Sequence, residues 1–420
     1  MAMEKITLPN GLRILLEPRQ EVRTACFGIW AKSGPIYETP EINGISHLIE
    51  HMVFKGTSSR SAKDIAEQMD AIGGQMNAYT AKDYTCFYAR SLAEHVEQAF
   101  EILADMVKNP RFGEKELRLE QAVVREEIGM SKDMPDDLVL ENLYRQVWGG
   151  STLGLPILGD DPSGLSAADL RSYMSRAYAP QRLVVSICGQ FDRERFLSCV
   201  TRYFGDLQPG PAIAEPGAVT FRPGCTAQSS EQEQTHICVA IPGFDFSDER
   251  RNAMSLLNLI TGGSASSRLF QRIREQLGLA YSVDSDTVSY AAGGMMVVQT
   301  AVNPSVTQRA LQEILAVLNE LRGGVTPEEF SRAKEQLKSG LLMGMESVAA
   351  RAGRMGRGEL LKNEVLTEDE LVARLEAVTL PQVNDLAREV FELSSSRVAL
   401  SIVGPDQEEK YVRLANQVIA

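Results

Sequence analysis

The chain has 420 residues, 44% of them hydrophobic and 24% charged, with a net charge of −13 at pH 7. That length supports two or more domains with full cores, and the composition is that of an ordinary globular protein. The negative balance argues against non-specific nucleic-acid binding, and no run approaches the roughly 18 consecutive apolar residues of a membrane-spanning helix.

Residues 4–18 read as a hairpin. Lys5-Ile6-Thr7-Leu8 and Leu12-Arg13-Ile14-Leu15-Leu16 flank Pro9-Asn10-Gly11, and Asn-Gly is a strong turn signal. No basic segment with an apolar run precedes this pattern, so no signal peptide is expected. A strand is expected over 23–32, followed by a short helix within Gly44–Gly56. Ser61 caps a second helix, with Asp64 three residues on, and Gly73-Gly74 ends it. Strands follow at 75–80 and 84–90, then helices near 93–108, 114–131, 136–147 and 166–176. A strand at 183–188 and a helix at 192–203 complete the first half, and a Pro/Gly/Ala-rich linker occupies 210–222.

The second half repeats the order. A strand at 235–241 precedes helices near 248–260 and 267–276, then strands at 280–287 and 294–301. Helices near 305–322, 326–344, 346–362 and 367–377, a strand at 397–403 and a last helix follow. Glu101-Ile102-Leu103-Ala104 recurs as Glu313-Ile314-Leu315-Ala316, 212 positions later. The expected fold class is therefore α+β: two duplicated domains, each a mostly antiparallel sheet covered by helices on one side. The expected domains are 1–209 and 223–420, joined by 210–222.

The six cysteines, at 26, 86, 188, 199, 225 and 238, stand singly with no Cys-x-x-Cys spacing. They read as buried free thiols of a reducing compartment, so a cytoplasmic location is expected.

The chemistry concentrates in His47-x-x-Glu50-His51. Apolar residues at 45, 48, 49, 52 and 53 recur at helical spacing, so His47 and His51 share a face one turn apart. Two imidazoles aimed at one point make half of a tetrahedral zinc site, and a neighbouring carboxylate can take a proton from water. The chain has only four histidines, and the other two, His95 and His236, have no partner at ligand spacing. A catalytic zinc needs a third protein ligand. The helix near 114–131 offers Glu120 and Glu127, seven apart and on one face. Spacing alone does not choose this helix over others, because the chain holds many glutamates.

His47-x-x-Glu50-His51, followed 76 residues later by Glu127 in the context Glu120-x6-Glu127-Ile128, resembles the inverted-motif zinc peptidases of the pitrilysin, insulin-degrading enzyme and mitochondrial processing peptidase family. The chain looks like the family's bacterial processing-peptidase-like members. The likeness extends to Gly73-Gly74-x-x-Asn77-Ala78-x-Thr80, Leu153-Gly154-x-Pro156-Ile157-Leu158-Gly159 and Ser266-Ser267-Arg268-Leu269-Phe270 leading to Arg274-x6-Tyr281. It implies that His47, His51 and Glu127 bind one Zn2+ per chain, that Glu50 is the general base, and that Glu120 is a supporting catalytic carboxylate that orients a ligand. It implies that Asn77 and Ala78 lie on a sheet edge that receives the substrate as an added strand, and that Arg274 and Tyr281 hold substrate near the scissile bond. Related enzymes enclose a chamber between two such double-domain units. The resemblance therefore implies a homodimeric clamshell, with Arg274 and Tyr281 serving the partner subunit's zinc. The expected activity is endopeptidase cleavage of short unfolded peptides. The alternatives are a non-catalytic assembly subunit and one half of a heterodimeric processing peptidase.

Overall fold

The computed structural model describes residues 3–211 and 213–419. Met1 and Ala2 of the amino-terminal stretch, Ala212 of the expected linker, and Ala420 lie outside the described residues.

The described residues form two sheets. The first contains β1 (Glu4–Thr7), β2 (Arg13–Pro18), β3 (Thr24–Ala31), β4 (Gln75–Thr80), β5 (Thr85–Leu92) and β6 (Leu183–Gly189), in the order β1-β2-β6-β3-β5-β4. The second contains β7 (Gly224–Ser229), β8 (Thr235–Pro242), β9 (Ala280–Ser289), β10 (Gly294–Val302) and β11 (Ala399–Gly404), in the order β7-β11-β8-β10-β9. Each sheet is antiparallel except for one parallel pair, β2 with β6 and β7 with β11. Apart from β1, the second order repeats the first strand for strand. The recurring Glu-Ile-Leu-Ala falls in equivalent helices, Val96–Lys108 and Thr307–Leu321. The duplicated α+β fold expected from the sequence is the fold observed.

Besides short 3-10 turns, one strand and one α-helix among the described residues escape the sequence reading. One is β7, the short parallel partner of β11. The other is the helix Leu380–Val390, which begins on a Thr379–Gln382 capping box with Pro381 in its first turn. That signal was legible.

β3 and β6 are buried along almost their whole length on both faces. A sheet with two apolar faces needs two covering layers. The main layer packs Phe27 against Phe100 and Phe196, with ring centroids 5.7 and 6.2 Å away. On the opposite face, Leu15, Cys26, Trp30, Cys86, Val184 and Cys188 pack against Val348, Ala352, Met355 and Leu360 of the helix Val348–Lys362. Cover on one side, as the sequence predicts, thus describes only the main layer.

This second cover explains how the chain divides. One compact unit holds Met1–Ile128, Pro156–Glu215 and Leu342–Glu368, and the other holds Gly129–Leu155, Pro216–Leu341 and Asp369–Ala420. A single cut at 210–222 does not reproduce them. The segment 342–368 belongs with the first sheet because its helix buries that sheet's outer face. Likewise, 129–155 belongs with the second sheet, where Asn142 donates to Gln228 on β7 and Gln146 to the carbonyl of Pro223.

Gly356 is the tightest point of this packing. A Cβ there would stand 2.1 Å from Nε1 of Trp30, whose indole N–H donates to Ser186 Oγ at 2.9 Å. Gly356→Ala is expected to destabilise the first unit by about 1–3 kcal/mol through overpacking. Urea denaturation checks this; an unchanged midpoint would contradict it.

Candidate metal centre

The helix Ile45–Val53 buries Ile45, Leu48, Ile49, Met52 and Val53, which turns His47, Glu50 and His51 to its other side. Its start is anchored by Glu38, a buried carboxylate. Glu38 Oε2 accepts from the Gly44 N–H at 2.8 Å and Oε1 from the Ser46 N–H at 3.0 Å. These are amides that the helix itself leaves unpaired. Gly44 sits at φ 88, and a Cβ there would lie 2.6 Å from the carbonyl oxygen of Leu158. The motif's leading glycine is therefore a steric requirement.

The two imidazole rings stand 4.6 Å apart. Nε2 of His51 lies 3.5 Å, and Nε2 of His47 3.7 Å, from Oε2 of Glu127. The three residues' ligand atoms lie within 4.8 Å of one another, the one such group of three or more among the described residues. Glu127 comes from the helix Glu114–Asp133. Zinc ligands at about 2.0–2.2 Å in a tetrahedron stand about 3.3–3.6 Å apart. The spacing and the two-nitrogen, one-carboxylate set therefore fit a zinc ion with three protein ligands. Burial, aided by His51, pushes the His47 pKa down to about 3, so its imidazole is neutral, the form that ligates.

Glu120, seven residues before Glu127, is almost fully buried. Its Oε2 lies 3.2 Å from Nδ1 of His51, and Lys55 Nζ approaches its Oε1 at 2.7 Å. A bond from His51 Nδ1–H leaves Nε2 free to face Glu127. His47, by contrast, has a buried Nδ1 with no hydrogen-bond partner.

Thr80 Oγ1 donates to Glu50 Oε2 at 2.6 Å. Burial raises the Glu50 pKa above the ordinary carboxylate value, while the Thr80 bond and His51 oppose the rise. Asn77 and Ala78 lie on β4, the outermost strand of the first sheet. Asn77 Oδ1 accepts from the N–H of Ala78 at 2.9 Å, covering a main-chain donor at that edge.

Arg274 and Tyr281 belong to the second unit, where the structure brings them together. The Arg274 guanidinium stands 4.8 Å from the ring centroids of both Phe270 and Tyr281, and Tyr281 is 83% exposed. Arg274 sits in the π-helical turn Phe270–Gln276, where the sequence predicts an ordinary helix. Such wide turns recur at functional sites.

Sequence reasoning missed Thr80 and Lys55 as members of the site. Thr80 was within reach, because period-two register puts it on the same face as Ala78. Lys55 carries no pattern that names its partner.

Two histidines and a carboxylate around one point, with a further carboxylate one residue away, define a centre of the metallohydrolase kind. The comparisons with known proteins make that class specific. The family described as "Insulinase (Peptidase family M16)" matches residues 13–161, and "Peptidase M16 inactive domain" matches 164–337. The chain is 41% identical over 408 residues to the uncharacterized zinc protease YmxG of Bacillus subtilis, covering 96% of this chain and 98% of that protein. It is 36% identical over 430 residues to an uncharacterized zinc protease of Streptomyces coelicolor, covering 99% of this chain and 92% of that protein. A solved protease from Helicobacter pylori shares the fold with a TM-score of 0.89 at 21% identity, covering 96% of this chain and 99% of that chain. The chain belongs to the M16 (insulinase) peptidase family. No helix among the described residues is long and apolar enough to cross a membrane.

Proposed function

We propose that this chain is a zinc endopeptidase that cuts short unfolded peptides bound as an added strand on β4. The convergence of His47, His51 and Glu127, with Glu50 beside them, is the observation that carries this reading. His47, His51 and Glu127 would hold one Zn2+ per chain. When bound, the zinc supplies Lewis acidity, lowering the pKa of a water and polarising a carbonyl. Glu50 takes the proton of the attacking water and passes it to the leaving amine. Thr80 holds the Glu50 carboxylate by one oxygen. The open edge of β4 presents main-chain groups to an extended peptide, which binds it with little sequence demand. Asn77 Oδ1 then yields the Ala78 N–H to the incoming strand.

Arg274 and Tyr281, exposed in the second unit, serve the centre of a partner copy in a homodimeric chamber. Such a chamber admits flexible peptides and rejects folded proteins. The six cysteines are free thiols, which supports a reducing compartment such as the cytoplasm.

The first test is cleavage of a quenched, unstructured peptide of about 10–20 residues, long enough to add as a strand. Wild type and Glu50→Gln are compared at measured zinc content. Cleavage by wild type alone is expected. A zinc-loaded wild type that cuts nothing would replace this reading with a non-catalytic assembly role or a missing heterodimer partner. Sharing across subunits is tested by mixing two inactive chains, Glu50→Gln and Arg274→Ala. Mixed dimers are expected to regain activity, because one of their two centres has both an intact base and an intact arginine. No recovery in verified mixed dimers would exclude sharing.

A further inference from the structure

We propose that Lys55 is a positioning residue for the metal centre. It is the last member of a His51–Glu120–Lys55 relay that fixes the two ligand-bearing helices against each other and so sets zinc affinity. This inference rests on the zinc reading above and adds a residue that reading does not use.

The geometry divides the Glu120 carboxylate between two partners. Oε2 faces His51 Nδ1 at 3.2 Å, and Oε1 faces Lys55 Nζ at 2.7 Å. The Glu120 side chain is only 8% exposed, whereas that of Lys55 is 36% exposed. A carboxylate that deep needs its bonding capacity filled and its charge countered. His51 fills one oxygen. Lys55 fills the other and supplies the formal positive charge. Without Lys55, the carboxylate keeps only its contact with His51 and loses the partner that fixes its second oxygen.

The backbone makes Lys55 a firm support. Its N–H donates to the carbonyl of Met52 at 3.1 Å, closing the last turn of the histidine helix. Gly56, at φ +111, then turns the chain away. The ammonium thus starts from the end of the helix that carries His47 and His51, and reaches the helix that carries Glu120 and Glu127. One ion pair and one His–carboxylate bond together link the two sources of ligand. The link matters most at His51, since Nδ1 of His47 is buried with no such partner. Partners that orient a metal-ligating histidine in this way contribute roughly 10–100-fold in metal affinity.

The test measures the zinc dissociation constant of the full-length protein by competition with a chromophoric chelator. Wild type, Lys55→Met, Lys55→Arg, Glu120→Gln and Lys55→Met with Glu120→Gln are compared, alongside the thermal midpoint of each zinc-free protein. Lys55→Met keeps the length of the side chain and removes its charge. It is expected to weaken zinc binding roughly 10–100-fold and to lower the zinc-free midpoint only modestly, since the half-exposed Lys55 leaves behind an uncountered Glu120 charge. Lys55→Arg is expected to recover most of the loss. The double variant is expected to be no weaker than Glu120→Gln alone, because both changes break one relay.

A Lys55→Met protein that binds zinc as wild type does would overturn the proposal while leaving the zinc reading intact. Fully additive losses in the double variant would overturn it as well. So would a loss matched by a lowered zinc-free midpoint and not recovered by Lys55→Arg, which would mark Lys55 as a fold-stability residue. A wild type without zinc affinity would overturn both readings together.

Discussion

Glu50→Gln is expected to lower kcat by roughly 10²–10⁴-fold, the usual contribution of a positioned general base, with zinc content and KM nearly unchanged. The carboxamide has the shape of the carboxylate and keeps a carbonyl oxygen for the Thr80 hydroxyl, which now donates at 2.6 Å. Burial already favours the uncharged form of this side chain, so a neutral replacement is tolerated. What the amide lacks is the lone pair that accepts a proton at neutral pH. Zinc retention separates loss of the base from loss of the site. Activity within tenfold of wild type would remove Glu50 from the mechanism.

His51→Ala is expected to abolish both zinc retention and turnover, a loss larger than that of any supporting residue. The remaining pair, His47 and Glu127, leaves the ion with two protein ligands where catalytic zinc uses three. The Glu120 carboxylate also loses its neighbour at 3.2 Å. Thermal unfolding provides a readout independent of activity. A protein that binds zinc only when folded gains about 2.7 kcal/mol when free zinc is 100 times its dissociation constant. Wild type is expected to show that zinc-dependent rise, and His51→Ala none. A normal zinc response in the variant would mean that the ion binds elsewhere.

Much of this site was visible as a sequence. The apolar residues at 45, 48, 49, 52 and 53 recur at helical spacing, and each proves buried. That places the histidines on the opposite face before any coordinates exist. Glu120 and Glu127 could be paired by their interval of two turns, yet nothing local said which helix meets the histidines. Only the resemblance selected it. Contacts across long stretches of chain carried no sequence signature. Thr80 reaches Glu50 over 30 positions, and Lys55 meets Glu120 over 65 (120 − 55).

The same limit applies to the fold. Periodicity announces that Val348–Lys362 has a face to bury, with Val348, Ala352 and Met355 on it. It does not say which of two sheets receives that face. β3 held an unused clue, since a strand apolar on both sides requires a second cover.

That second cover has a consequence for biosynthesis. When the ribosome has completed β6 and the helix Arg193–Phe204, the first sheet has all its strands but only one of its two lids. Trp30, Leu15 and Val184 then wait for Val348–Lys362, whose last residue is 158 positions beyond Phe204 (362 − 204). At about 5–20 residues per second, that interval lasts roughly 8–30 s. The nascent amino-terminal half therefore keeps that apolar face uncovered throughout the interval, and a gene cut at the linker yields two fragments, each missing part of its own core. Supplied together, the fragments should rescue each other's solubility by trading those pieces.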